Sequence, residues 1–100
     1  MAGATAYNRP YTLGIEGGGT RTTALLADAQ NREIKRATFG PGNVQLLNDR
    51  QLSQLLSTIA GEFEPPDIIS LGMAGSRNEK DHQRIRIAAG KIWKKTPCLA

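Results

Sequence analysis

Residues 13–23 read Leu-Gly-Ile-Glu-Gly-Gly-Gly-Thr-Arg-Thr-Thr, and the fold follows from how this stretch is read. A β-type run over residues 11–16 meets three glycines, and a second β-branched, apolar run, Thr22–Ala27, follows. A glycine cluster between two such runs predicts two strands joined by a tight turn. Glycine lets the backbone take positive φ and lets a ligand approach closely. Successive free N–H groups in such a turn make a concavity for anions. Thr20 and Thr22 add hydroxyl donors, and Glu16, at the end of the first strand, can hold hydrated Mg²⁺ against phosphates. A flexible hairpin loop with incidental Gly and Thr stays open on spacing alone. No Gly-Lys-Ser/Thr follows, so this is not a Walker A loop, and no G-x-G-x-x-G opens a helix here.

Outward from the turn, residues 28–32 (DAQNR) carry turn chemistry. Glu33–Phe39 alternates imperfectly, as a half-exposed third strand does, and Gly40-Pro41-Gly42-Asn43 is a loop. Leu52, Leu55, Leu56, Ile59 and Phe63 recur at helical spacing, with Asn48 and Gln51 as a capping box and Gly61 and Pro65-Pro66 as the stop. Residues 67–73 (DIISLGM) form a compact apolar strand. Ser76 and Glu79 match a second capping box, ahead of a helix striped by Ile85, Ala88, Ala89 and Ile92. Trp93 widens that stripe, as core or as an apolar patch for another lobe, and Thr96-Pro97 stops the helix. Residues 98–100 read as the start of a further strand. Residues 1–10 read as a loose leader.

The order β-β-β-α-β-α-(β) predicts an α/β fold: an antiparallel meander, then right-handed parallel crossovers, in a mixed sheet with flanking helices.

GIEGGGTRT resembles the phosphate-1 motif of the sugar kinase/heat-shock protein/actin superfamily, and within it the N-acetylglucosamine kinase group and the related BadF/BadG/BcrA/BcrD-type ATPases. Gly40 to Val44 (GPGNV) and Ser70 to Gly75 (SLGMAG) sit where that group carries two further glycine-containing segments. The resemblance runs from about Tyr11 to the C-terminus. It implies a ribonuclease H-like, actin-like ATPase fold, with residues 11–100 as an N-terminal ATPase/kinase lobe. It further implies ATP and Mg²⁺ as cofactors, with Gly17, Gly18, Gly19 and Thr20 cradling phosphates and Glu16 positioning Mg²⁺ through water. Asn43 would contact sugar hydroxyls or be a plain turn asparagine, and Ala74 and Gly75 would line the sugar pocket by backbone. Arg21 stands where Lys is commoner and reads as a surface side chain. In this family the aspartate that activates the sugar hydroxyl lies on the fifth strand, which puts it past residue 100. The chain alone is therefore expected to be inactive, its C-terminal lobe missing.

The implied full-length activity is transfer of a phosphoryl group from ATP to C6 of an amino sugar, N-acetylglucosamine or glucosamine. A BadF-type ATPase activator of a dehydratase or reductase is the alternative. A ribonuclease H-like nuclease ranks lower, since Ile68 to Met73 offers no carboxylate. The resemblance leaves room for a homodimer, whose contacts such kinases usually make with the missing lobe.

Composition bounds the rest. One hundred residues suffice for one domain, and 39% hydrophobic with 22% charged is a globular balance. No apolar run approaches the roughly 18 residues of a membrane span, and no secretory signal is visible. The single Cys98 excludes an internal disulfide framework, the lone His82 reads as solvent-exposed, and a cytoplasmic location is expected. Residues 1–76 hold six Lys/Arg against seven Asp/Glu, and residues 77–100 hold seven against two. Without interleaved aromatics that basic stretch predicts a solvated helix face and neither nucleic acid nor a membrane as partner.

Overall fold

The computed structural model describes residues 6–100. The strands are β1 (Thr12–Gly17), β2 (Thr22–Ala27), β3 (Glu33–Phe39), β4 (Ile68–Met73) and β5 (Cys98–Leu99); the helices are α1 (Asp49–Glu62) and α2 (Glu79–Ile92). The sheet order is β3-β2-β1-β4-β5. β1 pairs antiparallel with β2 and β2 with β3, whereas β4 pairs parallel with both β1 and β5. This is the mixed arrangement expected from the element order. Residues 98 and 99 do join the sheet, in register with Ile69 and Ser70.

Alternation along the strands sets the core. Leu13, Ile15, Ala24, Leu26, Ile69, Leu71 and Met73 are buried on one face. Leu52, Leu56 and Ile59 of α1 and Ile85, Ala88 and Ala89 of α2 complete the cluster. The two helices also pack on each other. Removing such a side chain to Ala costs about 2–5 kcal/mol. Trp93 ends α2 and belongs to this core. The opposite face stays open along Gly14, Glu16, Thr23, Leu25, Ser70 and Gly72.

The caps agree with the sequence at α1 and differ at α2. Asn48 Oδ1 accepts from Gln51 N–H at 2.8 Å and Gln51 Oε1 accepts from Asn48 N–H at 2.9 Å. At α2 the cap is Asn78, whose side chain accepts from Asp81 N–H, and not Ser76. Ser76 instead donates its hydroxyl to the Met73 carbonyl, which ties it to the end of β4.

Three further expectations change. Of the expected leader, residues 1–5 lie outside the described residues, but the part from Asn8 on is fastened rather than loose. Asn8 N–H donates to Asp28, Ala29 N–H donates to the Asn8 carbonyl, and Arg9 pairs with Asp67 at 2.8 Å. His82 is half-buried, and its Nδ1 is enclosed with no hydrogen-bond partner among the described residues. Within the basic stretch, Arg84 is not a solvated charge. It donates to the carbonyls of Val44 and Leu47 and to the Asp49 carboxylate, pinning the loop before α1 to α2. Cys98 is half-buried, and burial pushes its thiol pKa up, as its packing role requires. No helix among the described residues is long and apolar enough to cross a membrane.

Candidate functional site

β1 and β4 are parallel neighbours, so their carboxyl ends meet at one edge, Gly17 beside Met73. β2 starts at that edge because Thr22 pairs with Gly17. A cleft of about 600 Å³ opens there. The hairpin contributes Glu16, Gly17, Gly18, Thr20, Arg21 and Thr23, and the end of β4 contributes Gly72, Met73 and Ala74.

The turn closes when Gly18 N–H donates to the Arg21 carbonyl at 2.7 Å. Its own carbonyls are taken by two neighbouring loops: Gly42 N–H donates to the Gly18 carbonyl at 2.8 Å, and Ala74 N–H to the Gly17 carbonyl at 2.8 Å. The N–H groups of Gly19 and Thr20 make no hydrogen bond within the described residues, and both residues are exposed. Backbone donors are strong and seldom left without partners. Two in succession beside an open cleft suit an anion.

The turn glycines do not serve positive φ. Among the described residues the one glycine in that region is Gly75, at φ 83°. Gly17 is required by contact: a Cβ there would lie 2.5 Å from the Gly42 carbonyl oxygen, and one on Gly42 would lie 2.7 Å from Gly17 Cα. Two backbones touch beneath the turn.

The hydroxyls sort by strand parity. Glu16 is exposed and faces Thr23 across the β1–β2 ladder, on the open side of the sheet. Thr22, expected as a phosphate donor, points to the other side. It is 0% exposed, lies against Gly42, and its Oγ1 has no hydrogen-bond partner among the described residues. Of the two, Thr23 is the threonine that lines the cleft. The period of two in a strand was the signal that distinguishes them. Arg21 is exposed, as expected, yet it also lines the cleft.

Among the described residues, Glu16 is the one carboxylate lining the cleft. A single exposed carboxylate beside free N–H donors fits Mg²⁺, which keeps most of its waters and takes its remaining ligands from phosphates. No group of three His, Cys, Asp or Glu that could hold a metal by itself occurs among the described residues.

The second expected group also assembles. Val44 N–H donates to the Ala74 carbonyl at 2.9 Å, joining the loop before α1 to the loop after β4. Asn43 sits against Gly75: a Cβ on Gly75 would lie 2.2 Å from Asn43 Oδ1. That oxygen accepts from Gln45 N–H at 2.9 Å, which makes Asn43 a turn asparagine through its oxygen. Gln45 and Asp81, which the sequence reading passed over, surround this junction. Gln45 Nε2 donates to the Gly75 carbonyl at 2.7 Å and to Asp81 at 3.0 Å. Arg77 N–H, followed by that Gln45 amide, holds the Asp81 carboxyl below its ordinary pKa against the opposing effect of burial.

No protein-family model matches the chain, and no curated protein matches it in sequence. Among solved structures it is similar to a gluconate kinase from Lactobacillus acidophilus and to a ligand-bound xylulose kinase from the same organism. Each superposes with a TM-score of 0.43 at 16% identity, over 61% of this chain and 15% of the other. The chain thus spans well under two thirds of the length of either kinase.

Proposed function

We propose that this chain is the phosphate-binding half of an ATP-dependent sugar phosphotransferase, acting on an amino sugar such as N-acetylglucosamine or glucosamine. The observation that carries the reading is the hairpin turn. It offers free N–H groups at Gly19 and Thr20, beside the Glu16 carboxylate, at the carboxyl ends of two parallel strands. Clefts at that edge of an α/β sheet are where ligands bind.

In this reading the turn binds the β- and γ-phosphates through backbone N–H groups, and Thr20 and Thr23 add hydroxyls. Glu16 orients the waters of Mg²⁺, which neutralises charge on the transferring phosphoryl group when bound. Arg21 at the cleft wall adds a positive charge near the phosphates. Ala74, Gly75 and Asn43 approach from the side of the acceptor. Ala74 is shared between the two groups, since it lines the cleft and accepts from Val44. Positioning donor and acceptor in this way is the main work of phosphoryl transfer.

Titration of Mg·ATP into the chain, followed by amide resonances, tests the donor site. Gly17 to Thr20 should shift, and Thr20→Ala should weaken binding about tenfold, the loss of a hydrogen bond of about 1.5 kcal/mol to a charged group. Shifts confined to other residues would overturn it. For the acceptor, ADP release by the full-length protein is measured over a panel of amino sugars. Release independent of every sugar would favour an ATPase activator instead.

A further inference from the structure

The loop before α1 and the loop after β4 are joined by a small network away from the phosphate turn. Gln45 lies at its centre. Its amide nitrogen donates to the Gly75 carbonyl at 2.7 Å and to Asp81 Oδ2 at 3.0 Å, and its oxygen accepts from Arg77 Nη2 at 2.8 Å. Its own backbone N–H donates to Asn43 Oδ1 at 2.9 Å. Asp81 is buried, and its Oδ2 also accepts from Arg77 N–H at 2.9 Å. Asn78 caps α2 by accepting from Asp81 N–H at 3.0 Å, which fixes the carboxylate at the helix start. One side chain thus uses every polar atom it has, and through its side chain and its backbone N–H Gln45 engages Gly75 and Asn43, two of the positions expected to meet the acceptor.

Gly75 gives this network a reason. At φ 83° its peptide is turned into a conformation that other residues rarely adopt, and the Asn43 carboxamide fills the space a side chain would take. Such a conformation persists only where its surroundings hold it. Gln45 holds it from the carbonyl side and holds Asn43 from the backbone side.

We propose that Gln45, seated on Asp81 and Arg77, is a positioning residue for the acceptor: it sets Asn43 and Gly75 relative to each other without touching the phosphate turn. The proposal rests on the phosphotransferase reading given above. In the full-length protein, Gln45→Ala should raise the acceptor KM about tenfold while kcat and the KM for Mg·ATP stay within about twofold. Asp81→Ala should do the same. Asp81→Asn keeps an oxygen for Arg77 N–H and for Gln45 and should restore the acceptor KM to near the wild-type value. A merely structural role would lower both substrates' efficiencies together, and Asn would then rescue both or neither.

Amide spectra of the chain separate the two ideas. Gln45→Ala and Asp81→Ala should move the Gly75 and Asn43 resonances and leave Gly17 to Thr20 in place, with Mg·ATP shifts unchanged. If no sugar stimulates ADP release, the phosphotransferase reading falls while these spectra still decide the geometric half. Unmoved Gly75 and Asn43 resonances, or an unchanged acceptor KM in both alanine variants, would overturn the proposal. Where Gln45→Ala fails to fold, Gln45→Glu, which loses the donors to Gly75 and Asp81 at nearly constant volume, takes its place with the same expected outcomes.

Discussion

The two ends of the β1–β2 hairpin are built from opposite chemistry. At the end where β1 begins and β2 finishes, carboxylates gather donors. Asp28 accepts from the N–H groups of Asn8, Gln30 and Arg32 and from the Arg32 guanidinium, with its side chain fully enclosed. Asp67 accepts from Tyr11 N–H at 2.7 Å and from Arg9 at 2.8 Å, and Arg9 stacks on the Tyr11 ring. At the other end the turn has glycine where side chains could stand, and its N–H groups at Gly19 and Thr20 make no hydrogen bond among the described residues. One end engages its donors with carboxylates and ties residues 8 to 11 to the domain. The other keeps donors in reserve. The difference shows where the domain stabilises itself and where it leaves donors open.

That contrast can be broken by crowding the open end from beneath. In Gly42→Val a Cβ would lie 2.3 Å from Thr22 Oγ1 and 2.7 Å from Gly17 Cα. Backbone must move, and chemical denaturation should report a loss of about 3 kcal/mol. Next in size is the fastened end. Burial opposes ionisation of Asp28, yet the Arg32 side chain and the surrounding backbone N–H groups win, taking its pKa from 3.8 down to about 2. A carboxyl depressed by folding stabilises the native state above its unfolded pKa and ceases to as pH falls through its folded one. Denaturation midpoints should therefore be flat above pH 3.8 with respect to this group and drop from there towards about pH 2. Asp28→Ala should lower the midpoint at neutral pH and remove its share of that acid drop, with Mg·ATP binding unaltered.

The smallest effects separate two adjacent threonines. Thr23→Val should leave the midpoint unchanged and weaken Mg·ATP binding about fivefold, the value of one hydrogen bond near 1 kcal/mol. Thr22→Val removes a buried hydroxyl without a partner and should raise stability by about 1 kcal/mol with binding unchanged. Equal effects of the two substitutions on binding would erase the division of labour between the sheet faces.

Much of this was legible in the residues. The three hairpin strands, the cap of α1 and the apolar stripes of both helices follow from local spacing, and tertiary packing kept them. The glycine turn was legible as a tight turn between two strands, but its glycine serves a different need than positive φ: Gly17 yields to the backbone of Gly42, 25 residues away in sequence and invisible to any local rule. The spacing of Ser76 and Glu79 matched a cap, but the serine is engaged by the Met73 carbonyl, and Asn78 caps the helix instead. The knots at Asp28 and Asp67 join residues 8, 9 and 11 to partners 20 or more positions on, so no window of sequence contains them. Gln45 reads as an ordinary loop glutamine until Gly75 and Asp81 are brought to it.

The two loops that grip the turn by its carbonyls do more than hold it still. The Gly18 carbonyl, which accepts from Gly42, belongs to the same peptide plane as the free N–H of Gly19. A peptide whose oxygen is already hydrogen-bonded carries a larger dipole, and its N–H donates about 10–30% more strongly. Gly42, distant in sequence and without a side chain, thereby acts on the Gly19 donor electronically, through the amide that joins them. The loop before α1 polarises the very group that the cleft leaves unpaired.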